Sequence, residues 1–138
     1  MKLKTEQPQY VLDSSAVIAL VRREHGWEKV EAALERSVMS AISLTESMTK
    51  LIRQGGEPRL VERLLRALDL EVIPWDEQLA WASRDFCPLA WTNGLSFADR
   101  ACLTLARQLD LAAMTGDSEW KKLRHGVRVC LFREGRRK

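Results

Sequence analysis

Four acidic residues, Asp13, Glu46, Asp99 and Asp117, stand where a chain of alternating strands and helices would gather side chains along one edge. Asp13 directly follows the apolar segment Tyr10-Val11-Leu12. Glu46 comes in the first turn after Val38 to Ile42, and Asp117 follows Leu111 to Thr115. Asp99 lies near the start of a helix whose Leu95, Ala98, Ala101, Cys102, Leu105 and Leu109 recur at the helical period behind Ser96, a good N-cap. It projects on the flank of the apolar face, where an ionised carboxylate is expensive unless a cation or hydrogen-bond donors meet it. Four converging carboxylates with no Lys among them would repel one another, and the usual remedy is a hard divalent cation. Mg²⁺ or Mn²⁺ suits all-oxygen ligands and can ionise a bound water for attack on a phosphodiester.

Each acid also has a plainer reading. Asp13 could cap the first helix and Asp117 a short helix at Trp120, and Ser43-Leu44-Thr45-Glu46 has the pattern of a capping box. Asp76 follows a strand too, and a cap is the only role assigned to it.

The elements that must position these acids read as follows. Strand Tyr10 to Leu12 leads to a helix opened by Ser14-Ser15, which runs out near Glu24-His25-Gly26. A second helix spans about Trp27 to Glu35. Strand Val38 to Ile42 precedes a helix from Ser43 to the Gly55-Gly56 stop, and Pro58 stands at N1 of the next helix. Leu70 to Pro74 is the third strand, with Asp76 capping a helix up to about Asp85 that Pro88 bars from continuing. After the Asp99 helix come strand Leu111 to Thr115, a short helix around Trp120 and Leu123, and a last strand Val127 to Phe132. Strands alternating with helices predict an α/β fold with a parallel sheet, and strands this short and apolar suit a sheet covered on both faces. In such a sheet ligands bind beyond the carboxyl ends of the strands, which is where the acids fall.

The 138 residues are read as one domain with a core of its own. The chain is 46% hydrophobic and 30% charged, a globular profile and not a disordered one. The net charge of +3 permits a nucleic-acid partner without arguing for one. Arg133, Arg136, Arg137 and Lys138 read as a solvated basic tail at 133–138, and Arg59, Arg63 and Arg66 as a solvated helix face. Cys87, Cys102 and Cys130 are an odd set without C-x-x-C spacing, as in a reduced cytosolic protein, and His25 and His125 have no zinc-ligand spacing. Met1 to Tyr10 is polar where a signal peptide needs an apolar segment, and Ala16 to Val21, the longest apolar run, is too short to cross a bilayer.

Four segments in order carry a resemblance: Tyr10-Val11-Leu12-Asp13-Ser14-Ser15-Ala16, Ser43-Leu44-Thr45-Glu46, Leu95-Ser96-Phe97-Ala98-Asp99-Arg100-Ala101-Cys102-Leu103 and Thr115-Gly116-Asp117-Ser118-Glu119-Trp120. With them the chain resembles PIN-domain ribonucleases, and most closely the VapC toxins of type II toxin–antitoxin pairs. The resemblance implies a PIN-like fold with a five-stranded parallel sheet flanked by helices. It implies a ribonuclease that uses Mg²⁺ or Mn²⁺ held by Asp13, Asp99 and Asp117, with Glu46 completing the catalytic set and Ser14 and Thr115 as supporting hydroxyls. It also implies RNA as substrate, a small antitoxin packing on the early helices, a homodimer, and a cytoplasmic location. Gly116 departs from the family, which often has a residue with a side chain there. The five tryptophans are more than one small core easily hides, so exposed ones could serve an interface. Two other functions fit less well. A non-cleaving PIN-like binding module would tolerate neutral residues at the acids, and a phospho-accepting receiver needs a Lys after the last strand, where Leu131-Phe132-Arg133 has none.

Overall fold

Five short strands pair in parallel in the order β3-β2-β1-β4-β5, which makes the chain an α/β protein with a central parallel sheet, as the alternating pattern predicts. The computed structural model describes residues 7–134. Arg136, Arg137 and Lys138 of the expected basic tail lie outside these residues.

The strands are β1 (Tyr10–Leu12), β2 (Ser37–Ser40), β3 (Glu71–Ile73), β4 (Ala112–Thr115) and β5 (Val129–Leu131). Seven α-helices connect or follow them among the described residues: α1 (Ser14–Arg22), α2 (Trp27–Ala33), α3 (Ala41–Arg53), α4 (Pro58–Ala67), α5 (Glu77–Ala82), α6 (Leu89–Thr92) and α7 (Phe97–Leu109). Short 3-10 turns lie at Leu34–Arg36, Ser83–Phe86 and Ser118–Lys122, the last where a short helix at Trp120 was expected. The strand order reverses direction at β1, so the crevice between β1 and β4 opens at the sheet's carboxyl edge.

The pleat sends alternate residues to opposite faces, and two cores follow from it. Leu12, Met39 and Met114 enter the core beneath α1, α3 and α4, packed with Val17, Leu51 and Leu65. Val11, Val38 and Ala113 enter the other, beneath α7, with Cys102, Leu103, Leu105, Phe86 and Trp120. Burying each large aliphatic side chain contributes roughly 1.5–3 kcal/mol, so both faces of the thin sheet are held by helices and not by its few ladder bonds.

Two local expectations change. The second strand ends at Ser40, two residues before Ile42, because the Ser40 hydroxyl accepts from Ile42 N at 3.1 Å and starts α3 there. The Ser43–Glu46 capping box therefore does not form. Ser43 is fully buried, and Glu46 lies in the second turn of α3. Beyond the Pro88 break a further short helix, α6, forms with Pro88 itself at its N-cap. Pro58 is at the start of α4 as read, with Glu57 accepting from Arg59 N and Leu60 N.

Candidate active site

Asp13 stands at the end of the strand where the sheet reverses, and its surroundings follow from register. Leu12 of β1 lies opposite Met114 of β4, and Asp13 N donates to Met114 O at 3.1 Å. Asp13 therefore sits across from Thr115, whose hydroxyl donates to Asp13 Oδ2 at 2.6 Å. The other oxygen, Oδ1, accepts from Ser15 Oγ at 2.6 Å and from Ala16 N at 3.0 Å, so Asp13 is also the N-cap of α1. The cap and the candidate site residue are one side chain. Asp13 is only 5% exposed, and burial pushes its pKa up to about 6, against the three hydrogen bonds that lower it. The charge of Asp99 adds to the rise.

Asp99 closes a capping box at the start of α7. Its backbone N–H donates to Ser96 Oγ at 3.1 Å, and its Oδ2 accepts from Ser96 N at 3.0 Å. It is half-buried, and burial raises its pKa, helped by the Glu46 charge and opposed by Lys50. Glu46 reaches this group from α3. Its Oε1 accepts from Ser14 Oγ, its Oε2 from Ser96 Oγ at 3.4 Å, and Lys50 Nζ lies 3.5 Å away one helical turn on. Asp117 is exposed and caps the 3-10 turn after β4, accepting from Glu119 N at 2.9 Å, while its own N–H donates to Thr115 Oγ1 at 3.1 Å.

Asp13, Asp99 and Asp117 line one cavity of about 920 Å³, together with Ser14, Ser15, Lys50, Trp120 and Arg133. Glu46 borders it through its bonds to Ser14 and Ser96. The acids are not free of cations, contrary to expectation, since Lys50 and Arg133 share the cavity. Among the described residues no three His, Cys, Asp or Glu side chains are drawn together as a ready ligand set. Each acid instead accepts from nearby donors, Asp99 and Asp117 from their own caps and Asp13 and Glu46 also from hydroxyls of other elements. The donor set nonetheless has the chemistry of a hard-cation site: all-oxygen, with a buried carboxylate whose hydrogen-bond partners are all neutral. Asp99 Oδ1 and Asp117 Oδ2 accept no hydrogen bond from any described residue. Residues that could hold such a cation are Asp13, Asp99 and Asp117.

The fold matches a family pattern. The PIN domain model matches residues 10–126. This chain belongs to the PIN domain family. No curated protein matches it. Solved structures with the PIN fold superpose over most of its length. VapBC2 from Rickettsia felis, bound to a promoter DNA fragment, is 13% identical with a TM-score of 0.69, covering 88% of this chain and 97% of that one. FitAcB from Neisseria gonorrhoeae is 24% identical at 0.66, covering 88% and 96%. VapC20 from Mycobacterium tuberculosis, a sarcin-ricin loop cleaving toxin, is 18% identical at 0.65, covering 83% and 94%. At these identities the likeness establishes the fold.

Three residues that line this cavity of the PIN domain lie outside the sequence-derived set. Ser15 stands two residues after Asp13, a spacing that places a hydroxyl beside a helix cap, and that signal was available. Lys50 lies four residues after Glu46, the spacing of a helical ion pair, and was also legible. On sequence Arg133 belongs to a solvated basic tail, and only the pairing of β5 with β4 brings it to the cavity. Beneath the acids Cys102 is fully buried, and its thiol is pushed far up by burial first and then by the charges of Asp13, Asp99 and Glu46. It stays protonated, as expected of a core cysteine.

Proposed function

We propose that this PIN domain is a Mg²⁺- or Mn²⁺-dependent endoribonuclease, the toxin of a toxin–antitoxin pair, acting in the cytoplasm. The observation that carries the reading is the buried Asp13 carboxylate at the sheet's reversal point, facing a cavity shared with Asp99 and Asp117. Asp13, Asp99 and Asp117 would hold the cation, which when bound supplies positive charge beside a phosphodiester and lowers the pKa of a water. The chain's own residues do the rest. Thr115 and Ser15 fix the two Asp13 oxygens, and Ser14 and Lys50 orient Glu46 at the rim, where its carboxylate can accept a proton from an attacking water.

Support for the antitoxin comes from neighbouring structures, one of which is a toxin–antitoxin complex from Klebsiella pneumoniae, and from an apolar groove of about 560 Å³. Val17 of α1, Leu44 and Met48 of α3 and Leu65 of α4 line it, on the early helices. Homodimerisation draws support from Trp81 and Trp91, which are 70% and 74% exposed, whereas Trp120 is buried and Trp27 and Trp75 are half-buried. The three cysteines are free, as suits a reducing compartment, and no helix among the described residues is long and apolar enough to cross a membrane.

The test uses Asp13→Asn, Asp99→Asn and Asp117→Asn. Asn caps a helix about as well as Asp but is a poor Mg²⁺ ligand. Each variant should fold and lose cleavage of single-stranded RNA in Mg²⁺ or Mn²⁺. Retention of the wild-type rate would return these acids to the role of caps.

A further inference from the structure

Gly116 and Arg133 form a pair that neither residue reveals alone. Phe132 N donates to Thr115 O at 3.2 Å, which continues the β4–β5 ladder and sets Arg133 beside Gly116. A Cβ on Gly116 would lie 2.6 Å from Arg133 Nε and 2.8 Å from both Cζ and Nη2. The guanidinium thus occupies the volume that a side chain at position 116 would take. Glu24, two residues beyond α1, holds the opposite end of the group through Nη1 at 3.7 Å, and Phe132 lies under Cζ at 4.9 Å. The side chain is 29% exposed and lines the cavity of Asp13, Asp99 and Asp117. Among the described residues its one ion pair is through Nη1, which leaves Nε and Nη2 without a hydrogen bond there.

We propose that Arg133 binds a phosphate of the RNA substrate through its Nε–Nη2 edge, in space left for it by Gly116. The proposal rests on the nuclease reading above and adds the residue that receives the anion. Carboxylates repel a phosphodiester, so an acid-lined cavity needs a fixed cation to seat one. The parallel N–H pair on one edge of a guanidinium matches two phosphate oxygens, a match that the point charge of Lys50 lacks. Glu24 and the Phe132 ring hold the planar group in place before the substrate arrives, which limits the entropy lost on binding.

Two substitutions act on the same group by different routes. Arg133→Gln removes the charge. Gly116→Ala leaves the charge but pushes the guanidinium aside, at little cost to the fold because the displaced atoms end a flexible side chain. The assay is steady-state cleavage of a single-stranded RNA oligonucleotide in Mg²⁺ across a range of salt, with melting temperature measured alongside. Arg133→Gln should raise KM about tenfold, the worth of a lost charged hydrogen-bond pair. It should also reduce the slope of log KM against log salt by roughly 0.7, one phosphate contact on a single strand. Gly116→Ala should reproduce the rise in KM, and the double variant should be no worse than either single one, because both act through one guanidinium. Arg133→Lys should restore the salt slope but not the KM. If both single variants keep the wild-type KM and salt slope and shift only the melting temperature, Arg133 is a structural plug and the proposal falls. Additive effects in the double variant would overturn it as well. A wild-type protein that cuts no RNA in either metal would instead remove the nuclease reading, and this proposal with it.

Discussion

Asp13→Asn should stabilise the metal-free protein near neutral pH and leave it unchanged in acid. Folding raises the Asp13 pKa from 3.8 to about 6, mainly through burial. The fold therefore penalises the charged form. Below the unfolded value of 3.8 the carboxyl is protonated in both states, and no penalty exists. Between that value and about 6 the folded protein holds a proton that the unfolded chain has released, so stability falls as pH rises. Above about 6 both states are ionised and the whole penalty remains. Two pH units at about 1.4 kcal/mol each make it roughly 3 kcal/mol, an order-of-magnitude figure. Asn keeps the cap to Ala16 N and the Ser15 bond through its carbonyl oxygen, while its amide can donate to the Thr115 hydroxyl that formerly donated to Oδ2. Little is lost against that gain, so the variant should melt on the order of 5–10 °C above wild type at about pH 7.5 in chelator. The two should converge near about pH 4. Melting curves of both proteins across this range, in chelator, are the assay. A difference that stays constant with pH, or an Asn variant less stable than wild type near neutrality, would refute the reasoning that the buried carboxylate is charged at a cost.

Mn²⁺ or Mg²⁺ should raise the melting temperature of the wild type, since a ligand that binds only the folded state at roughly a hundredfold excess over Kd adds about 2.7 kcal/mol. Asp99→Asn should melt above wild type in chelator, having lost one repelling charge, and should gain less from metal. Asp76→Asn, at a cap that accepts from Leu79 N on α5 and does not line the cavity, should keep the full response. Identical wild-type melting curves in millimolar Mn²⁺ and in chelator would count against a cation at this edge. Expression without a partner should arrest growth, and Asp13→Asn or Asp117→Asn should abolish the arrest. A harmless wild type that nevertheless cuts RNA in vitro would be a PIN nuclease of another kind.

The acids illustrate how much of the site was legible before folding. Asp13 and Asp117 fall directly beyond apolar strands, and a parallel sheet brings such positions to one edge whatever the details. The choice between cap and site residue could not be made from local pattern, and in the structure the same side chains both cap helices and line the cavity. Asp13 caps α1 with one oxygen and faces β4 with the other. Asp99 is a capping-box residue and lines the cavity. Glu46 was placed a turn too early because Ser43 and Ser40 are equally good N-caps on sequence. Both are buried in the fold, and it is Ser40 whose hydroxyl accepts from Ile42 N and caps α3, which leaves Ser43 inside the helix.

The sequence by itself determined the α/β alternation, the five strands, the order of the acids along the chain and the four motifs of the PIN domain. All of these are local or sequential properties, written in periodicity, caps and spacing. Tertiary structure alone decided which side chains meet. Thr115 reaches Asp13 across 102 residues, and Lys50 reaches Ser14 across 36, because strand order and helix packing bring them there. The same holds for Arg133, a residue with the composition of a tail, which enters the cavity because β5 pairs with β4 in a register that sets it beside Gly116, where no side chain takes up the space. A one-residue slip of that register would send the guanidinium to the opposite face of the sheet. Register across separate strands is fixed by the packing of both cores at once, and no stretch of the chain carries it alone.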